Sequence, residues 1–308
     1  MKAITYRSYG GPEVLEYGDV PNPKVGVDTV LVRVKAAAVN PVDWKIQAGY
    51  LDTVMDTVFP VIPGWDVAGV VEETGVGVTE FAPGDEVIGY VREDFVSRGT
   101  FAEYVAAPVR TLARKPAGLS FEEAAGLPLA GLTAYQALTR SLRVRAGETV
   151  LVHAAAGGVG SLAVQIARSL GARVIGTASE YNHAYLRGLG AEPVAYGEGL
   201  SDRVHALVPQ GVDAVLDLVG GDALKVSPGL LAEGGRLASA VDGAVLGLGG
   251  GYVFVRPDAR DLEALTELAE RGELRVDVAA AFALEQAADA QRLSREGHTR
   301  GKIIITVA

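Results

Sequence analysis

Gly157, Gly158 and Gly160 stand at the bend of a stretch that runs from Gly147 through Thr149-Val150-Leu151-Val152-His153 into Ala154-Ala155-Ala156. An apolar strand leads in. Val159, Leu162, Ala163, Ile166 and Leu170 then follow at helical spacing, with Gly171 where a helix-ending glycine belongs. A strand, a tight turn and a helix in this order bring backbone amides close to a pyrophosphate, and the helix N-terminus favours its negative charge. Ala155, Gly157, Gly158, Val159 and Gly160 are therefore read as a dinucleotide-phosphate cradle. A glycine cluster alone would be only a tight turn; the flanking strand and helix, and a second strand on schedule, decide for the cradle.

The second strand bears on which dinucleotide fits. An NAD site carries an acidic residue about 20 residues beyond the glycines, on the ribose 2′-hydroxyl, whereas an NADP site puts donors there instead. Here the strand ends Gly176-Thr177-Ala178-Ser179, with no carboxylate before Glu180 and with His183 and Arg187 beyond. Thr177, Ser179 and His183 are the candidates at this end, and Ser179 beside a cation suits a 2′-phosphate. NADPH is the expected cofactor. Ser179 also suits the cap of the next helix, and the two roles are compatible.

The elements that must hold these residues alternate between strand and helix. From Leu119 onward, where Ser120-Phe121-Glu122-Glu123 has the form of a capping box, strands are expected over 150–153, 173–177, 214–218 and 236–240, with a helix over 162–170. This alternation means right-handed βαβ units and a doubly wound parallel sheet, an α/β fold. The first third reads instead as short strands, 14–17, 30–34, 67–71 and 101–105, punctuated by Pro63-Gly64 and Pro83-Gly84-Asp85. That is a β-rich, barrel-like unit. A last β-like segment, 302–307, is expected to return to it, and 247–251 reads as a turn. The expected domains are 1–118, completed by 260–308, and 119–259.

With 308 residues and 49% hydrophobic side chains, the chain is long enough for two cores. Its 28 basic and 38 acidic residues leave a formal net charge of -10 with no Lys/Arg-rich run, which argues against nucleic acid as a partner. No cysteine is present, which excludes disulfides, thiolate zinc sites and cysteine nucleophiles and suits a reducing cytoplasm. The start, Met1 to Tyr6, alternates like a strand and lacks the apolar core of a signal peptide. The segment 149–167 carries no Asp, Glu, Lys or Arg, but its central glycines break helical continuity, so no membrane span is expected there.

Taken together, these residues resemble the quinone oxidoreductase, or zeta-crystallin-like, branch of the medium-chain dehydrogenase/reductase superfamily. The likeness runs nearly end to end: the 147–160 stretch, Pro63-Gly64-Trp65-Asp66-Val67-Ala68-Gly69-Val70-Val71 and Gly84-Asp85-Glu86-Val87 all carry it. It implies a GroES-like catalytic domain and a Rossmann domain. Zinc-dependent members have a Gly-His-Glu segment where this chain has Gly64-Trp65-Asp66, and a ligand cysteine where it has Asn40. The resemblance thus implies a metal-free enzyme. Without a Lewis acid, an isolated ketone is a poor hydride acceptor, whereas a conjugated one yields a delocalised enolate and a quinone yields a phenolate. The expected activity is zinc-independent, NADPH-dependent reduction of a quinone or an α,β-unsaturated carbonyl.

The segment Asn40-Pro41-Val42-Asp43-Trp44-Lys45, with Tyr50 after it, resembles alkenal and enone reductases of this branch, in which the Asn and Lys lie near the nicotinamide ribose. Asn40, Lys45 and Tyr50 are the catalytic candidates. Lys45 would hold the nicotinamide end or stabilise a developing oxyanion; Tyr50 would donate a hydrogen bond or a proton. From the residues alone, Asn40-Pro41-Val42-Asp43 is also a good helix start. The resemblance further puts Thr133 near the nicotinamide and Tyr196 near the adenosine phosphate. Leu218, Val219, Ser239, Phe254 and Val255 fall on later strands along the cofactor's edge. The family often carries a basic residue where Tyr181 stands. A homodimer pairing an edge strand over 252–255 is expected. The alternative to an enzyme is a non-catalytic dinucleotide-binding or scaffolding protein of the same fold.

Overall fold

Alternating apolar residues run along β1 (Thr29–Val39), and the strand extends five residues past the expected end because Ala36, Ala37 and Ala38 are small enough to be fully buried between neighbours. In this computed structural model, which describes residues 1–297 and 299–308, β1 is central to the first of two units: Met1–Leu129, Pro257–Arg271 and Arg275–Ala308. β1 leads directly into the short helix α1 (Pro41–Gln47) and pairs antiparallel with β2 (Asp66–Thr74). Among the described residues the sheet has seven strands. Their order is Val278–Ala283, Lys302–Thr306, β1, β2, Glu86–Tyr90 and Leu112–Arg114, with Tyr104–Pro108 also on β1. The Lys302–Thr306 strand opposes the far end of β1, with Ile303 facing Val39, and this register sets Lys302 beside Asn40. Val32, Val34, Val67, Val71, Phe101 and Ile305 fill the core. Each such buried aliphatic or aromatic side chain stabilises by about 1.5–3 kcal/mol.

Three expected strands in this unit shift. The strand expected over 14–17 is Glu16–Asp19, because Pro12–Val14 closes a single 3-10 turn first. The strand expected over 101–105 is Tyr104–Pro108. Thr100 and Phe101 donate their amides to Gly64 and Pro63 at 3.0 Å each, so they brace the Pro63-Gly64 turn instead of entering the sheet. The last strand is Lys302–Thr306, one residue shorter than expected. The first unit also extends to Leu129 and takes in the helix Phe121–Ala125, whose Ala124 and Ala125 are fully buried. Ser120 caps that helix as its sequence foretells, with both halves of the capping box formed.

The second unit, Ala130–Arg256 with Gly272–Leu274, holds the parallel sheet. Its first strand is β3 (Thr149–Val152), followed by helix α2 (Gly158–Ser169) and β4 (Arg173–Ala178). Later come β5 (Val212–Asp217) and β6 (Leu231–Ser239). In space the order is Glu192–Ala195, β4, β3, β5, β6, Gly251–Tyr252, with every neighbouring pair parallel. The direction of winding reverses between β3 and β5, the switch point at which this fold opens a crevice beyond the strand ends. Leu162, Ala163 and Ile166 bury one face of α2, and Gly171, at φ +82°, follows the helix end as expected. The edge strand is Gly251–Tyr252, shorter than the expected 252–255, since the Val253 amide, donating to the Ser239 carbonyl, makes the last backbone bond to β6. Residues 243–248 form a 3-10 helix, leaving Gly249 at φ +77° to make the expected turn. Among the described residues, no helix is long and apolar enough to cross a membrane.

Candidate active site

In the second unit the glycine turn lies at the switch point, at the C-terminal end of β3. Gly157 takes the N-cap position of α2 in an extended conformation, and no side chain caps the helix. The amides of its first turn are therefore open to an anionic ligand. A Cβ on Gly160 would lie 2.2 Å from the Ala154 carbonyl oxygen and 2.7 Å from the Ala155 Cα, so only glycine lets the helix press onto the turn this closely. The turn is pinned from below: Gly157 N–H donates to Ala154 O at 3.0 Å and Ala155 N–H to Thr177 O at 2.9 Å. Ala154 itself sits at φ +50°, the left-handed region that a non-glycine residue rarely adopts. This arrangement fits a dinucleotide pyrophosphate.

The other candidates of this unit gather at neighbouring strand ends. Thr177 is buried near the end of β4, and its hydroxyl accepts the Ala154 N–H at 3.2 Å. Ser179 follows β4, half-buried, and its Oγ accepts from Asn182 Nδ2 at 3.2 Å. His183 opens the helix His183–Leu189 with its Nε2 buried and unpaired. Tyr196, after the Glu192–Ala195 strand, is 64% exposed. Leu218 and Val219 follow β5; Phe254 and Val255 lie past the last strand, the first exposed and the second half-buried. Thr133 is buried in the helix Pro128–Gln136.

Ser239 ends β6 fully buried. Its hydroxyl donates to Asp217 at 2.6 Å and accepts the amides of Val241 and Asp242 at 3.2 and 3.1 Å. Its side chain thus shapes a loop. Asp217 is the partner that sequence reasoning missed: its carboxylate also takes the amides of Val219 and Gly220, at 3.0 and 2.9 Å, and so folds the chain beyond β5. An Asp at a strand end followed closely by Gly is the signal that could have revealed it.

The first unit gathers a second, charged group. Asn40 is 2% exposed and its carboxamide turns inward. Asn40 Nδ2 donates to Asp66 Oδ2 at 2.9 Å, and the Lys302 amine donates to Asn40 Oδ1. Asp66 takes the Leu129 amide at 2.8 Å on its other oxygen and lies 4.0 Å from Lys302 Nζ. Asp43, in the first turn of α1, accepts the Asn40 N–H at 2.7 Å. Burial pushes Asp66 up to about 6, against the opposing pull of Lys302, and pushes Asp43 up to about 7; it also pushes Lys302 down. The helix start read at Asn40-Pro41 is present, but its capping bond comes from Asp43; the Asn40 side chain is spent on Asp66 and Lys302. Lys302 was not singled out in the sequence, because nothing local announces a partner 262 positions away, and Asp66 was noted only as part of the Gly64-Trp65-Asp66 segment, not as a partner of Asn40.

Lys45, Trp44 and Tyr50 do come together. The Lys45 amine lies 5.6 Å from the Trp44 ring centre, and Trp44 meets Tyr50 edge-on at 6.4 Å. Tyr50 is 70% exposed. Beside Asp43 a small pocket is lined by Tyr6, Ile46, Trp65, Ser97 and Arg98. Among the described residues, no group of three or more His, Cys, Asp or Glu stands where it could hold a metal ion.

Known proteins are similar to this chain in sequence and in fold. Residues 26–117 match the alcohol dehydrogenase GroES-like domain, and residues 189–305 match the zinc-binding dehydrogenase family. A chloroplast envelope quinone oxidoreductase homolog of Arabidopsis thaliana is 34% identical, over 99% of this chain and 98% of its own. An NADPH-dependent alkenal/one oxidoreductase of the same plant is 37% identical, over 99% of this chain and 79% of its own. The solved quinone oxidoreductase of Coxiella burnetii superposes with a TM-score of 0.89 at 36% identity, covering 100% of this chain and 99% of its own.

Proposed function

Because this chain belongs to the medium-chain dehydrogenase/reductase superfamily, among relatives named for quinone and enone reduction, we propose that it is a zinc-independent, NADPH-dependent reductase of a quinone or an α,β-unsaturated carbonyl. The observation that carries this reading is the uncapped N-terminus of α2 at the switch point, with Gly160 pressed against Ala154. The amides of Gly158, Val159 and Gly160 would hold the pyrophosphate. Ser179 and His183 Nε2 would receive the 2′-phosphate, and the NADPH dependence named for one relative supports that choice. Bound there, the nicotinamide supplies the hydride.

The first unit favours a metal-free reaction for a reason internal to it. Asn40, at the position of the zinc members' ligand cysteine, faces the Lys302 amine through its Oδ1, and Asp66 Oδ2 faces the same amine. Charge arriving on the substrate must then be spread by conjugation or met by a protein donor. Lys45 is that donor or the holder of the nicotinamide end, and Tyr50 offers a hydroxyl at the surface beside it. Asn40 acts through what it positions, since its carboxamide is engaged. Thr133, Tyr196, Leu218, Val219, Phe254 and Val255 would line the cofactor's path. A homodimer joined along Gly251–Tyr252 and residence in the cytoplasm complete the reading; an unpaired sheet edge supports the first and the lack of cysteine the second.

The test is a titration and a turnover assay on the purified protein, following NADPH absorbance across enones, enals and quinones, with and without a chelator. Oxidation of NADPH by a conjugated acceptor, unchanged by the chelator and absent in Gly160→Ala, is the expected result. Tight NADPH binding with no turnover across the panel would favour a dinucleotide-binding protein instead.

A further inference from the structure

Beneath the glycine turn lies a line of hydrogen bonds whose directions can be worked out. His153, the residue after β3, is 1% exposed. Its Nε2 lies 3.1 Å from Ser227 Oγ, and its Nδ1 lies 3.3 Å from Thr177 Oγ1. Ser227 has one hydroxyl hydrogen, and it goes to the Ala223 carbonyl at 2.7 Å, which can only accept. Ser227 Oγ must therefore accept from His153, which puts the ring proton on Nε2. Nδ1 is then an acceptor and takes the Thr177 hydroxyl hydrogen, leaving Thr177 Oγ1 to accept the Ala154 N–H at 3.2 Å. One direction of donation runs through all four groups: it starts at the amide of Ala154, the residue held at φ +50°, and ends on the Ala223 carbonyl.

We propose that His153, in its neutral Nε2–H form, is a positioning residue for the dinucleotide: through Thr177 it holds Ala154, and with it the turn that presents the α2 amides. This rests on the cofactor reading above. It also gives Thr177 a different task from touching the cofactor, since both its hydroxyl contacts point into the protein. Protonating Nδ1 would leave the Thr177 hydroxyl hydrogen without its acceptor and slacken the hold on Ala154. Three elements pack on the ring: β4 offers the Thr177 hydroxyl, the Ser227–Leu230 turn offers the Ser227 hydroxyl, and β5 offers Asp217, the charged group whose field reaches it. Burial outweighs Asp217 and keeps the imidazole neutral, its pKa below the ordinary histidine value.

Two substitutions separate the two ring nitrogens. Asn can place an acceptor where Nδ1 is but cannot reach Ser227, whereas Gln can reach Ser227 but offers Thr177 nothing at the Nδ1 position. NADPH affinity would be measured by fluorescence titration for the wild type, His153→Asn, His153→Gln and His153→Phe, alongside thermal unfolding and the ring tautomer from ¹⁵N NMR. His153→Gln and His153→Phe are expected to bind NADPH about tenfold more weakly and His153→Asn within about threefold of wild type, the difference one buried hydrogen bond makes. The affinity ratio of wild type to His153→Asn should also fall as the pH drops below neutrality; taking the ratio cancels the titration of the ligand's own phosphate. Variants that melt lower but all bind like the wild type would overturn the proposal, as would an Nδ1–H tautomer. A wild type that binds neither NADPH nor NADH would instead sink the cofactor reading itself.

Discussion

Lys302 and Asn40 are 262 positions apart, yet the side-chain amine of the first donates to the carboxamide oxygen of the second inside the core of the first unit. Asp66, 4.0 Å from the same amine, closes the group. Removing the amine alone leaves a buried carboxylate without its counter-charge. Lys302→Met is expected to lose about 3–5 kcal/mol of stability in urea unfolding, and the added change Asp66→Asn to restore most of it. If the double variant is no more stable than the single one, the charge pairing read here is wrong.

Asp43 makes a prediction about pH whose sign is opposite to that of a salt-bridged carboxylate. Burial raises it from 3.8 to about 7, so the folded protein binds a proton that the unfolded chain has already released over that interval. Stability therefore falls as pH rises from about 4 to about 7. Asp66, raised less, adds to the same slope, while Lys302 draws both carboxylates back down. Asp43→Asn keeps an acceptor for the Asn40 N–H and removes the titration. Unfolding curves across this interval should be flatter for Asp43→Asn than for the wild type; parallel curves would show that the carboxyl ionises freely in the fold.

How far the sequence could be read depended on whether the cause was local. The turn at Gly157–Gly160, the helix after it, the capping box at Ser120 and the Gly171 helix end all follow from neighbours in the chain, and the structure forms them there. The strand at Tyr104–Pro108 was misplaced because a distant turn, Pro63-Gly64, captures the amides of Thr100 and Phe101. The engagement of Asn40 was hidden for the same reason: Lys302 and Asp66 come from strands that only the sheet register brings beside it. His153 looked like one more residue of a buried strand until the hydroxyls on either side of it were in view.

Ala154 carries strain that glycine would relieve. At φ +50° an L-residue loses about 1–2 kcal/mol relative to the right-handed region, while glycine gives back about 0.5–1 kcal/mol through its freer unfolded chain. Ala154→Gly should raise stability by a few tenths to about 1 kcal/mol on that balance. Ala154→Val, with a branched Cβ at the same φ, should lower it. Thermal melts of the two variants should bracket the wild type, and a destabilised glycine variant would mean that the methyl group contributes packing that outweighs the strain.

The charge of Lys45 can be removed while its packing is kept. Lys45 is half-buried on α1 with its amine over the Trp44 ring, and Lys45→Met keeps the length and the apolar stem while deleting the cation. A charge that meets a developing oxyanion acts only in the transition state, so its loss lowers kcat and leaves NADPH affinity alone. A charge that holds the nicotinamide end acts in the bound state too, so its loss weakens NADPH binding. In the first case kcat/KM with the best conjugated acceptor should fall about a hundredfold, the usual effect of deleting one such donor; in the second the NADPH binding constant weakens while kcat at saturating NADPH is kept. The split between kcat and the NADPH binding constant then says which role is real. If kcat/KM and the NADPH binding constant both moved less than about threefold, Lys45 would have neither role and the donor would have to be sought at Tyr50.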